Sequence, residues 1–214
     1  MAGDILAYDS SLKNKIVVTP NGLDIEKFTI SAGERPIQEK YIFFVGRFVY
    51  KKGIDILVRA FSKIGISNLK MILEGKGESL EEIQKLVSEL NISNRIIFTE
   101  GKLTEFEKIN YMKNSLFGVI PSRLEPFGIV GLEFMAAGVP VIVSKTGGLI
   151  DIIKDNETGL FFESENQKDL TEKIKLMYQD EKLRSRISEN QKKMILKYSW
   201  GNIANQYMNL FEKL

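Results

Sequence analysis

The chain reads as an α/β domain built on a doubly wound parallel sheet. Two observations predict it. Short apolar runs alternate with helix-period patterns along most of the 214 residues. Most runs are also continuous in apolar residues, as in Tyr41-Ile42-Phe43-Phe44-Val45 and Val139-Pro140-Val141-Ile142-Val143. A strand covered on both faces has no side to offer water, so such runs fit a sheet with helices on both sides.

The elements follow in order. A first strand is expected at 15–19 and a second at 41–45. A helix over 53–64 places Ile54, Leu57, Val58 and Phe61 on one face, and a strand at 69–73 comes next. Ser79 and Glu82 form a capping-box pattern, after which Leu80, Ile83, Val87 and Leu90 recur at helical spacing. A strand at 95–98 precedes a second capping box, Thr104 to Glu107. Strands at 116–120 and 139–143 flank a small-residue helix that opens near Ile129. This β-α-β-α order, with right-handed crossovers, makes a Rossmann-like sheet.

From about residue 166 to 214 the pattern is almost all helical and rich in both charges. Lys168, Lys173, Lys175, Lys182, Arg184, Arg186, Lys192, Lys193 and Lys197 are offset by Asp169, Glu172, Asp180, Glu181 and Glu189, which reads as solvated helix faces. Ser199 can cap a last helix whose Trp200, Ile203, Tyr207, Leu210 and Leu214 form an apolar stripe. The expected division is a leader or linker remnant at 1–14, a ligand-binding domain at 15–197 and a terminal crossover helix at 198–214.

Composition excludes several chemistries. The chain has no Cys and no His, so there is no thiol nucleophile, thiolate metal site or histidine-based triad. Acid–base work must fall to carboxylates, Lys or Tyr. Thirty basic and 28 acidic residues leave a net charge of +2, too little to argue for nucleic acid. No run approaches the roughly 20 apolar residues of a membrane span, and Met1-Ala2-Gly3-Asp4 lacks the order of a signal peptide. A cytoplasmic protein is expected.

Ligands of open parallel sheets bind beyond the carboxyl ends of the strands, so the residues just after each strand carry the chemistry. After 41–45 come Gly46-Arg47 and, four residues on, Lys52-Gly53 at a helix start. Two cations beside a helix N-terminus suit a phosphate or diphosphate. Taken alone, a surface turn with solvated cations explains them as well. After 69–73 comes Gly75-Lys76-Gly77, which either lets backbone approach a ligand or makes a tight turn. After 116–120 comes Glu125-Pro126-Phe127-Gly128-Ile129-Val130, and Glu133 follows one turn into the helix. Free N–H groups there can hold an anion, and carboxylates can accept from sugar hydroxyls. After 139–143 come Gly147-Gly148 and Asp151, again either a close approach to ligand or a plain turn. No Asp-x-Asp metal clamp occurs, and Arg47 with Lys52 could neutralise a diphosphate instead.

Together these segments resemble the C-terminal, donor-binding half of GT-B-fold retaining glycosyltransferases of the group 1 family, with glycogen and starch synthases as close relatives. The matching residues are Pro20-Asn21-Gly22-Leu23-Asp24, Gly46-Arg47 with Lys52-Gly53, Gly75-Lys76-Gly77, Glu125 with Glu133, Gly138-x-Pro140, Gly147-Gly148 and Ser199-Trp200. The resemblance implies that Arg47 and Lys52 hold the donor diphosphate. Glu125, with the backbone of Phe127 and Gly128, would meet sugar hydroxyls. Glu133 would clamp the ribose, with Ile129 and Val130 beside it. Gly75 would lie against the donor, and the backbone of Lys102 and Leu103 would meet the base. It further implies a UDP-, ADP- or GDP-sugar substrate, no metal and no other cofactor, and transfer with retention.

One departure is Asp151 where many group 1 enzymes carry Glu after Gly-Gly; it is closer to the glycogen synthase form and tilts the expectation toward glucosyl transfer to a glucan. An acceptor-binding N-terminal domain or subunit is the expected partner, and peripheral membrane contact is compatible with the full enzyme. This chain alone is expected to bind donor and transfer sugar weakly or not at all. The alternatives are a non-catalytic binding or docking module and, less favoured, a nucleotide-sugar 2-epimerase on the same fold.

Overall fold

A computed structural model describes residue 9 and residues 15–212. The expected 1–14 leader and Leu214 lie outside the described residues, residue 9 apart.

Six strands form one sheet: β1 (Lys40–Val45), β2 (Leu69–Glu74), β3 (Ile96–Phe98), β4 (Gly118–Ile120), β5 (Val141–Ser144) and β6 (Leu160–Phe162). Their order is β3-β2-β1-β4-β5-β6 and every pairing is parallel. The helices are α1 (Ile54–Ser62), α2 (Leu80–Glu89), α3 (Glu105–Asn114), α4 (Ile129–Ala137), α5 (Leu149–Ile152), α6 (Gln167–Gln179), α7 (Glu181–Met194) and α8 (Trp200–Phe211). The chain winds outward from β1 in one direction and then from β4 in the other. The crevice between the carboxyl ends of β1 and β4 is the switch point of the sheet, where ligands of such folds bind.

Alternate side chains of β1 explain the two-layer core. Ile42 and Phe44 point into a layer with Leu57, Phe61, Met71 and Ile174. Tyr41 and Phe43 point into another with Ile72, Leu132, Phe134 and Val143. Burial on both faces is why the run has no polar alternation.

Several expectations are confirmed and several corrected. The Thr104 capping box forms: the Thr104 hydroxyl accepts from the Glu107 amide (3.2 Å), and the Glu107 carboxylate accepts from the Thr104 amide (2.8 Å). Ser199 caps α8 by accepting from the Asn202 amide at 3.2 Å. The Ser79 box does not form. The Ser79 amide donates to the Phe48 carbonyl (2.9 Å), and the residue sits at φ −86° and ψ 3° rather than in the extended form a capping side chain needs. Residues 15–19 form no strand, since no neighbour among the described residues completes a ladder for them. The fourth and fifth strands begin two residues later than expected. Leu116 and Phe117 do bond across to β1, through Tyr41 and Phe43. Pro140 has no N–H to donate to a ladder. Strand β6 (Leu160–Phe162) is a sixth strand that the sequence reading did not include.

The stripe on α8 is not a packed face. Ile203 is buried, but Trp200 is 57% exposed and Phe211 68% exposed. Among the described residues, no helix is long and apolar enough to cross a membrane.

Candidate functional site

The loops after β1 and β4 meet across the switch point. The first carries Gly46 and Arg47, then a 3-10 turn over Tyr50–Lys52 that leads into α1. The second carries Ser122, Arg123 and Glu125, then opens α4 at Gly128. Lys52 Nζ lies 2.5 Å from Glu125 Oε2, and both side chains are largely buried. The Ser122 hydroxyl donates to the same oxygen at 3.2 Å. The Ser144 hydroxyl on β5 in turn donates to the Ser122 carbonyl at 2.5 Å, which ties this loop to the next strand. Among the described residues, Glu125 Oε1 has no hydrogen-bond partner. The site thus brings Lys52 and Glu125 together although 73 residues separate them.

Arg47 is placed differently. It is exposed at the carboxyl edge of β1 and, among the described residues, has no ion pair or hydrogen-bonded side-chain partner. Its charge is open to a ligand. The amides of Ile129 and Val130, the first two residues of α4, find no acceptor among the described residues. Two free amides at a helix start favour an anion. The buried Gly128 sets their direction with φ 100° and ψ 41°, a left-handed conformation natural to glycine.

Glu133 lies on α4 as the spacing requires, and Lys108 Nζ on α3 sits 3.2 Å from its Oε1. Local spacing does not point to Lys108, because the pair joins two helices. Lys102 is exposed and bonded to Glu100 at 2.7 Å, while Leu103 packs against the core. Phe127, partly buried, also packs there. Ile129 is exposed and Val130 half-buried at the rim.

The glycines are used mainly by the protein itself. At Gly75 the place of a side chain is taken by the Gly46 carbonyl. Phe48 and Lys76 join the same two loops, the Phe48 amide donating to the Lys76 carbonyl at 2.9 Å. Gly147, at φ +49°, faces the Glu125 carbonyl, and the Gly148 amide donates to that carbonyl at 2.9 Å. The Gly-Gly pair therefore lets the β5 loop sit directly on the Glu125 loop. Loop-to-loop packing by itself requires the absent side chains at both places.

Two residues without an assigned role in the sequence reading frame the site. Arg123 makes a two-pronged pair with Asp55 on α1, Nη1 to Oδ1 and Nη2 to Oδ2, both at 2.8 Å. Burial pushes the Asp55 carboxyl up, but the hydrogen bonds and charge of Arg123 outweigh this and hold it below its ordinary value. A depressed folded value means that the stabilisation is present above the unfolded value of about 3.8 and is lost as pH falls through the folded one. Asp55→Asn should therefore lower the melting temperature clearly at pH 7, with the deficit shrinking below about pH 4. A deficit that stays constant from pH 7 to pH 3 would contradict this. Glu74, at the end of β2, is the other feature. It is 6% exposed and accepts from the Thr99 hydroxyl, with no cation in ion-pair range among the described residues.

This arrangement puts two cations on the β1 loop and two free helix-start amides on the β4 loop, with Glu125 paired to one of the cations. The family model described as "Glycosyl transferases group 1" matches residues 26–194. The chain belongs to the group 1 glycosyltransferases. This group 1 chain is 36% identical over 222 residues to an uncharacterized glycosyltransferase of Methanocaldococcus jannaschii, covering 98% of the chain and 57% of the relative. It is 34% identical over 184 residues to glycogen synthase of Thermodesulfovibrio yellowstonii, covering 83% of the chain and 36% of that enzyme. The group 1 chain thus spans little more than half the length of the first of these relatives. Among solved structures, Anabaena HepE in complex with UDP-glucose superposes with a TM-score of 0.81 at 22% identity, over 92% of this chain and 57% of that one. The parallel six-stranded sheet of this group 1 domain is therefore the fold of one half of such enzymes.

Proposed function

We propose that this chain binds a nucleoside-diphosphate sugar and, with an acceptor-binding domain or subunit, transfers the glycosyl group to an acceptor hydroxyl. The observation that carries the reading is the meeting of Lys52 and Glu125 at the switch point, with the unpaired Arg47 on the same loop as Lys52 and the free amides of α4 at the end of the Glu125 loop. The diphosphate would lie between Arg47, Lys52 and the α4 amides, and these cations would stabilise it as it departs. Two fixed cations can carry the charge a metal carries elsewhere, so the transfer is read as metal-independent. Glu125 Oε1 would accept from hydroxyls of the sugar. Glu133 would turn from Lys108 to the ribose, with the base over the backbone of Lys102 and Leu103. Retention belongs to the same reading: the acceptor hydroxyl attacks on the face from which the diphosphate leaves, which keeps the leaving group beside the proton it must accept.

The HepE structure, which holds UDP-glucose on the same fold, supports a nucleotide sugar as ligand. The exposed Trp200, Tyr207 and Phe211 on α8 support an acceptor-binding partner, since a large uncovered apolar face is where another domain docks.

The test is thermal melting with UDP, ADP and GDP, each against its nucleoside. At least one diphosphate should raise the melting temperature by several degrees more than its nucleoside does, because ligand at ~100 times Kd adds about 2.7 kcal/mol. Arg47→Ala combined with Lys52→Ala should erase that difference. No response to any diphosphate or nucleotide sugar at millimolar concentration would overturn the reading.

A further inference from the structure

We infer that Arg123 is a positioning residue for the donor site, locking the turn that carries Lys52 onto the loop that carries Glu125. The inference rests on the donor-binding reading above.

The guanidinium is spent almost wholly inside the protein. Nη1 donates to Asp55 Oδ1 (2.8 Å) and to the Tyr50 carbonyl (2.9 Å). Nη2 donates to Asp55 Oδ2 and Nε to Glu165 Oε1, each at 2.8 Å. The plane also stacks on the Tyr50 ring, 4.1 Å from its centroid. The side chain is only 14% exposed, so this cation is not offered to a ligand as Arg47 is.

What it holds is informative. Tyr50 begins the 3-10 turn that ends at Lys52, and Asp55 stands in the first turn of α1 just beyond. The Arg123 amide donates to the Lys51 carbonyl at 2.8 Å, next to Lys52. Its carbonyl accepts from the Thr146 hydroxyl at 3.2 Å, next to the Gly147-Gly148 pair that supports Glu125. Every group that Arg123 grips on these loops is therefore within three residues of a site residue or its support. The lock spans the β1 and β4 sides of the crevice. Without it, the remaining hydrogen bonds and ion pairs between the Lys52 turn and the Glu125 loop, among the described residues, are the backbone bonds to Lys51 and the Lys52–Glu125 pair itself. A diphosphate that draws Lys52 away from Glu125 would then free the turn. With the lock, Lys52 can release Glu125 while its backbone stays in place.

Only a planar fork can do this. Lysine carries a single point of charge and cannot bond both Asp55 oxygens, reach Glu165 through Nε and stack on Tyr50 at once.

The experiment measures Kd by calorimetry for whichever of UDP, ADP and GDP binds and for its nucleoside. The nucleoside Kd divided by the diphosphate Kd isolates the diphosphate contribution. Arg123→Lys should cut that ratio by roughly tenfold, within the range that small misplacements of a contact produce, with nucleoside affinity unchanged. In a Lys52→Ala background, Arg123→Lys should add nothing, because the group it positions is gone. Should Arg123→Lys fail to fold, Asp55→Asn loosens the same fork with Arg123 present and should lower the ratio in the same direction. The inference is overturned by a wild-type ratio in the folded variants. Equal loss of nucleoside and diphosphate affinity, the mark of a merely structural role, also overturns it, as does a loss that multiplies independently with Lys52→Ala. Variants that match a diphosphate-binding wild type refute the positioning role alone; a wild type that binds no diphosphate refutes the donor reading and this inference together.

Discussion

Lys52→Ala should destabilise the chain by about 3 kcal/mol, and adding Glu125→Gln should restore most of it, because an unpaired buried charge costs more than a neutral amide. The geometry sets the sign. Glu125 is 7% exposed, and its cation is Lys52 at 2.5 Å. Without the ammonium, only the Ser122 hydroxyl remains on Oε2. A carboxylate so placed must stay charged without a counter-ion, take up a proton or drag the loop toward solvent. Glutamine keeps the shape and removes the charge. Urea unfolding of the single and double variants is the measurement. Strict additivity would mean that the pair carries no coupling, as for many exposed ion pairs. The double variant should regain stability without regaining diphosphate binding, which separates the structural from the functional part of Lys52.

The second large effect concerns Glu125 alone. Glu125→Gln should lower glycosyl transfer by roughly 10²–10³-fold in kcat, measured with the acceptor half present. Binding of free nucleoside diphosphate should stay equal or become tighter. Both directions follow from one contact. On the donor-binding reading, wild-type Lys52 leaves Glu125, wholly or in part, to face a diphosphate; in the variant it would leave only a neutral amide. The sugar loses a charged acceptor at the point where positive charge develops as the diphosphate departs. A variant that binds diphosphate tenfold more weakly, or that transfers at the wild-type rate, would contradict this account.

Much of the fold was legible in the sequence. Tyr41–Val45 reads as a strand because it is apolar throughout, and Leu69–Leu73 because it is apolar but for Lys70; the structure buries the apolar residues of both runs on both faces. Thr104 and Glu107 read as a cap because both halves of that box lie within one turn. The expected run at 15–19 failed for the opposite reason: an apolar stretch becomes a strand only if a neighbour completes its hydrogen bonds. Ser79 has the right letters for a cap, but the distant Phe48 carbonyl takes its amide.

The site divides along the same line. The sequence by itself placed Arg47, Lys52, Glu125 and Glu133 at the carboxyl edge of a parallel sheet, since strand order and local spacing determine which residues follow each strand. Only the tertiary structure decided their partners: Lys52 on Glu125, Lys108 on Glu133, Arg123 on Asp55, and Gly147 beneath the Glu125 carbonyl. The contacts between loops join residues 22 to 73 positions apart, so no local period records them. They exist because the sheet switches direction between β1 and β4 and sets the two loops face to face.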